Sequence, residues 1–157
     1  MDETVNDEAL LLQEALRSHP DALAFCGLVN AAAHFLDDVA DGDRKLSARD
    51  AESAAWTLLV ALPRNRFYAA HFAELNPLMA NAITNWSLAN RWEESGETGP
   101  ASFILRSAYM DLVTHTLVLC LGREAALPWI AGVRRICHSE GLDGYAENLA
   151  KQFEGRR

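Results

Sequence analysis

Cationic side chains are in short supply: 14 Lys and Arg stand against 22 Asp and Glu in 157 residues, leaving a formal charge of -8 and a pI near 5.0. Broad contact with nucleic-acid phosphate or an anionic membrane needs a basic footprint, so neither is an expected partner. Cysteine is sparse as well. Cys26, Cys120 and Cys137 are odd in number, far apart and set among apolar residues without a C-x-x-C pair. That pattern suggests neither a disulfide framework nor a zinc knuckle, and fits reduced thiols in a cytoplasmic protein. The first residues, Met1 to Glu8, are acidic where a secretion signal would be basic. The most apolar run, Ser107 to Leu121, is interrupted by Asp111 and His115 and is too short to span a bilayer comfortably, so a soluble chain is expected. Nucleophile-elbow, P-loop and G-x-G-x-x-G signatures are missing too.

What remains is a balanced globular composition, 50% hydrophobic and 23% charged, of a length that suits one domain over residues 1–157. No segment sustains period-2 alternation, whereas Ser, Asn, Asp or Pro repeatedly opens an apolar-periodic stretch and Gly closes it. The expected fold is therefore all-α, a compact bundle of about six or seven helices. The punctuation predicts helices over 7–17, 20–41, 48–62, 66–74, 77–94, 101–121, 124–140 and 143–154, the third carrying Trp56 and Leu59 inward. Ser47 followed by Asp50 reads as a capping box, Asn76-Pro77 as a cap with proline at the first helical position, and residues 95–100 as a loop.

Chemistry concentrates at the end of the second helix, in His34-Phe35-Leu36-Asp37-Asp38-Val39-Ala40-Asp41-Gly42-Asp43. On a helical wheel Asn30, His34, Asp37 and Asp41 fall within roughly 60° of one another, with Asp38 about 40° further round. Carboxylates at a helix C-terminus oppose the helix dipole, which favours cations there, so the cluster invites a metal ion. Hard oxygen ligands suit Mg²⁺, with Mn²⁺ as a substitute, and Mg²⁺ takes one or two carboxylates together with waters and phosphate oxygens. The competing reading of the same stripe is the solvated face of an amphipathic helix.

Other helices add candidates. Asp111 and His115 are four apart on a strongly apolar helix, where a carboxylate needs a partner; a structural pair and a functional one are equally open. Asn81 and Asn85 stack one turn apart and suit an inter-helix hydrogen bond or a ligand contact. Arg106, with Arg64 and Arg66, is a candidate for phosphate, since a guanidinium fork recognises it bidentately. Trp56, Trp86, Trp92 and Trp129 read as core.

Phe25-Cys26 followed by Leu36-Asp37-Asp38-Val39-Ala40-Asp41 resembles the first aspartate-rich motif of the trans-isoprenoid synthases, in particular the squalene and phytoene synthase branch. The resemblance implies an inward-facing D-D-x-x-D helix on which Asp37, Asp38 and Asp41 hold Mg²⁺ that grips a diphosphate. Asn85, Ala89 and Glu93 stand at the intervals of a second metal motif but lack its middle hydroxyl, and the chain is shorter than that family's helical cup.

The leading expectation is thus a Mg²⁺-binding all-α protein for a diphosphate-containing small molecule. Asp37, Asp38 and Asp41 would be the metal ligands, and Asn30, Asn81, Asn85 and Arg106 would line the site. If there is catalysis, His34, Asp111 or His115 would position or deprotonate water. The rival expectation is a non-catalytic interaction or oligomerisation protein with a solvated acidic face. Large apolar helices favour a homodimer in both cases.

Overall fold

The computed structural model describes residues 3–42, 45–96 and 99–155, with side chains for 7–40, 42, 45–96 and 99–151. Every element among the described residues is helical: α1 (Glu3–Ala15), α2 (Pro20–Asp41), α3 (Ala48–Trp56), a π turn (Thr57–Ala61), α4 (Leu62–Arg64), α5 (Arg66–Ala70), α6 (Phe72–Glu94), α7 (Pro100–Arg106), α8 (Met110–Leu121), α9 (Arg123–Cys137) and α10 (Gly141–Gly155). The all-α fold expected from the punctuation is what the chain adopts.

Helix α2 is central. Its bounds follow from local chemistry, because Pro20 has its φ already set for a first turn and Gly42 takes the left-handed conformation (φ 66°) that ends the helix, its N–H bonding the Asp38 carbonyl at 3.3 Å. Ala22, Phe25, Cys26 and Val29, spaced three and four apart, are buried. Phe25 stacks on Tyr68 at 5.6 Å and tilts against Phe67 at 5.8 Å. Asn65 secures that pairing from the other side: its Oδ1 caps the Tyr68 amide and its Nδ2 donates to the Asp21 carbonyl, both at 2.8 Å. Helix α8 contributes Met110, Leu112, Val113, Thr116 and Leu117 to the same core, and Thr116 satisfies its buried hydroxyl on the Leu112 carbonyl at 2.8 Å. At the outer edge α1 packs on α9, where Gly132 lets Leu11 lie against the backbone; an added Cβ would stand 2.6 Å from a Leu11 methyl.

Three expectations change. The segment 48–62 does not turn Trp56 and Leu59 inward: they are 62% and 76% exposed, and neither α3 nor the π turn holds a buried residue. Pro63 explains the π turn, since it lacks an N–H and its ring crowds the carbonyl four residues back, and the helix widens just before it. Second, the long helix starts at Phe72, with Pro77 inside it and Asn76 no cap; the Asn76 amide instead accepts the Tyr68 hydroxyl at 3.1 Å. Third, the run from 101 to 121 is two helices, α7 and α8, bent by 57° across Ser107–Tyr109. The elbow holds its own polar groups, with Ser107 donating to the Ile104 carbonyl at 3.1 Å and lying 3.3 Å from His138 Nε2.

This arrangement separates core from surface sharply. Leu117→Ala should lower unfolding free energy by about 2–5 kcal/mol, the range for emptying a packed leucine site. Leu59→Ser should change it by less than about 0.5 kcal/mol. Urea denaturation midpoints at unchanged slope test both, and a large loss at Leu59 that does not vary with protein concentration would contradict the exposed placement.

Candidate functional site

Two adjacent carboxylates at the end of α2 look into different depressions. Consecutive helical residues are about 100° apart, so Asp37 and Asp38 diverge. Asp37 lines a cavity of about 240 Å³ enclosed by α2, the π turn with α4, α6, and the α7–α8 elbow. Asp38 lines a shallower polar cleft of about 190 Å³ against α3, together with His34, Asp50, Ser53 and Thr57. Ala32 is the wall common to both.

The cavity is apolar along most of its length, with Leu28, Leu36, Leu62, Met79, Ala82 and Ile83 among its lining residues. Its polar groups are Asp37, Trp86, Arg106 and Tyr109. The Trp86 indole N–H donates to Asp37 Oδ1 at 2.6 Å, tying α6 to α2 where both residues line the cavity. Arg106 Nη1 donates to Glu93 Oε2 at 2.7 Å, and Glu93 sits seven residues beyond Trp86 on α6, about two turns along. The acid and the guanidinium therefore meet α6 about two turns apart. Tyr109 is held well above its ordinary pKa, first by burial and then by neighbouring acidic groups, Glu8 and Asp37 among them, so its phenol stays protonated.

The remaining candidates are distributed over other contacts. Asp111 is ion-paired with Arg134 of α9, and His115 Nε2 lies 3.6 Å from a Glu74 carboxylate oxygen of α6, so each half of that helical pair is engaged by a different neighbour. His34 is exposed, at the cleft rather than the cavity. Asn81 is exposed and Asn85 half-buried, and neither lines the cavity. Asn30 is half-buried with its amide oxygen sealed from solvent and without a hydrogen-bond partner. The side chain of Asp41, and Asp43, lie outside the described residues.

Does this arrangement fit Mg²⁺? Among the described residues no group of three His, Cys, Asp or Glu side chains closes around one point. An all-protein cage is thus not what Asp37 and Asp38 offer. Asp37, which lines the cavity without Asp38, suits the open mode, in which a single carboxylate shares the ion with phosphate oxygens and water. The thiols are poor alternatives, because burial pushes Cys26 up to about 12 and raises Cys120 and Cys137, keeping all three protonated.

Sequence reasoning missed Trp86 as a wall, Tyr109, and two buried carboxylates. Glu93 continues the buried stripe Leu75, Ala82, Ala89 of α6, and Glu8 begins the stripe Glu8, Leu12, Ala15 of α1. An acidic residue standing on an apolar helical stripe was the available signal for both. No protein-family model matches the chain, and no curated protein or solved structure is detectably similar to it.

Glu8 yields a prediction. It faces Cys26, Tyr109 and Cys137, and burial raises its pKa above 4.5. Between 4.5 and the raised value the folded chain holds a proton that the unfolded chain has lost, so this group's contribution to stability falls as pH rises through that window. Glu8→Gln removes the titration. The variant's melting temperature should exceed that of the wild type at neutral pH and converge on it below pH 4.5; a difference independent of pH would contradict the assignment.

Proposed function

We propose that this chain binds an anionic amphiphile, a molecule with a short apolar tail and a diphosphate head, with Mg²⁺ bridging the head to the acidic end of α2. The observation that carries the reading is that Asp37, from the aspartate-rich helix end, and Arg106 share one largely apolar cavity. A volume of about 240 Å³ lies just below the roughly 300–1,000 Å³ typical of drug-sized ligand sites, which suits a short tail. The head would supply the oxygens that complete a Mg²⁺ shell begun by Asp37, while Arg106 offers N–H donors to phosphate. Trp86 and Tyr109 would flank the junction of tail and head.

Calorimetric titration with hexyl diphosphate, hexanol and inorganic pyrophosphate, each with and without Mg²⁺, tests this. Hexyl diphosphate should bind only with Mg²⁺. Asp37→Asn should weaken it about tenfold, the scale of one charge-assisted contact, whereas Asp38→Asn, in the neighbouring cleft, should weaken it less. Ala33→Leu, which fills the cavity, should abolish the advantage of the hexyl tail over pyrophosphate alone. Absence of Mg²⁺-dependent binding would overturn the reading.

A second reading, a helical interaction or oligomerisation protein, is favoured by the exposure of Trp56 and Leu59 on one surface element. Under it, Leu59→Ser would lower stability in a manner that depends on protein concentration.

A further inference from the structure

Arg106 closes α7, a helix of only seven residues, and an arginine side chain left to itself samples many rotamers. Here it is held. Glu93 of α6, 5% exposed, accepts Arg106 Nη1 on Oε2 at 2.7 Å, and its Oε1 accepts the Tyr145 hydroxyl at 2.5 Å. Tyr145 belongs to the C-terminal helix α10 and is itself 4% exposed, its ring tilted against Phe103 of α7 at 5.2 Å. One chain of contacts therefore runs from α10 through α6 to α7 and includes a side chain that lines the cavity, although neither Glu93 nor Tyr145 lines it.

Such a network is not needed merely to pack three helices. Apolar side chains of similar volume usually do that as well as or better than a buried ion pair, which must recover the desolvation of both charges. What the carboxylate and phenol add is direction. A carboxylate fixed at both oxygens presents one geometry to the guanidinium and so fixes the plane of that planar group. Burial and the neighbouring Glu93 also push the Tyr145 phenol up to about 12, so it remains a donor across the working pH range.

We propose that Glu93 and Tyr145 are positioning residues for head-group recognition: they hold Arg106 at the cavity, so that α10 sets affinity for the anionic head without touching the ligand. This rests on the reading under "Proposed function".

The test uses the full chain and compares two probes, hexyl diphosphate with Mg²⁺ and hexanol, which shares only the tail. Tyr145→Phe keeps the ring and removes the hydroxyl. It should weaken hexyl diphosphate about five- to tenfold and leave hexanol unchanged, a split that loss of packing would not produce. In an Arg106→Lys background Tyr145→Phe should add no further loss, because the phenol acts through the guanidinium. Leu149→Ala, a buried deletion in the same helix, should lower the melting temperature without that split. Equal loss for both probes, no loss for either, or full additivity with Arg106→Lys would overturn the positioning role while leaving the binding reading standing. A wild-type chain that binds neither probe would overturn the binding reading, and this inference with it.

Discussion

Burial of one face of α2 is the constraint on which the rest of the molecule depends. Ala22, Phe25, Cys26 and Val29 commit the first half of the helix to the aromatic pair on α5 and to α8. The helix is rigid, so that commitment also fixes where its last turns emerge. Leu36 and Asp37 are turned over the cavity and Asp38 toward α3. Carboxylates at this end oppose the helix dipole, and that cost is offset locally by the Trp86 indole N–H on Asp37.

Charge is placed unevenly around the cavity. Glu93 is compensated by Arg106, and Asp111 by Arg134, so two acids on apolar helix faces are neutralised across helix boundaries. Glu8 has no counter-charge of that kind among the described residues, and its charge, like that of Asp37, acts on the Tyr109 phenol. Tyr109 thus stands between an acid on the α1 side and an acid on the cavity side, with its phenol held neutral. A cavity whose walls are mostly apolar and whose charged lining residues are Asp37 and Arg106 offers surface to a tail and partners to a head, which is the physical content of the proposed specificity.

Much of this was legible from residue types. Pro20 and Gly42 bound α2, and Ser47 with Asp50 forms the capping box expected of them, Ser47 N–H donating to the Asp50 carboxylate at 2.8 Å. The acidic end of α2 was visible, but its division between two depressions was not, because helical periodicity cannot say which neighbours fill the space on either side of a stripe. Trp56 and Leu59 looked like core since they are large and apolar; they stay exposed because the widened turn before Pro63 lies at the edge of the bundle. The elbow at Ser107–Tyr109 has no Gly or Pro to announce it and is set by packing and by Ser107. Arg106 was identifiable as a phosphate candidate, whereas its dependence on Glu93 and Tyr145 joins positions 13 and 39 residues away, beyond any local pattern.

The central claim, that the cavity beneath Asp37 is a ligand site, is tested most directly by following the four tryptophan indole N–H resonances by heteronuclear NMR while hexyl diphosphate and Mg²⁺ are added. Trp86 donates to Asp37 and lines the cavity, and Trp56 lies on the exposed face of α3. The account predicts a saturable shift of the Trp86 indole with Trp56 unmoved. A static Trp86 resonance, or a shift confined to Trp56, would contradict it.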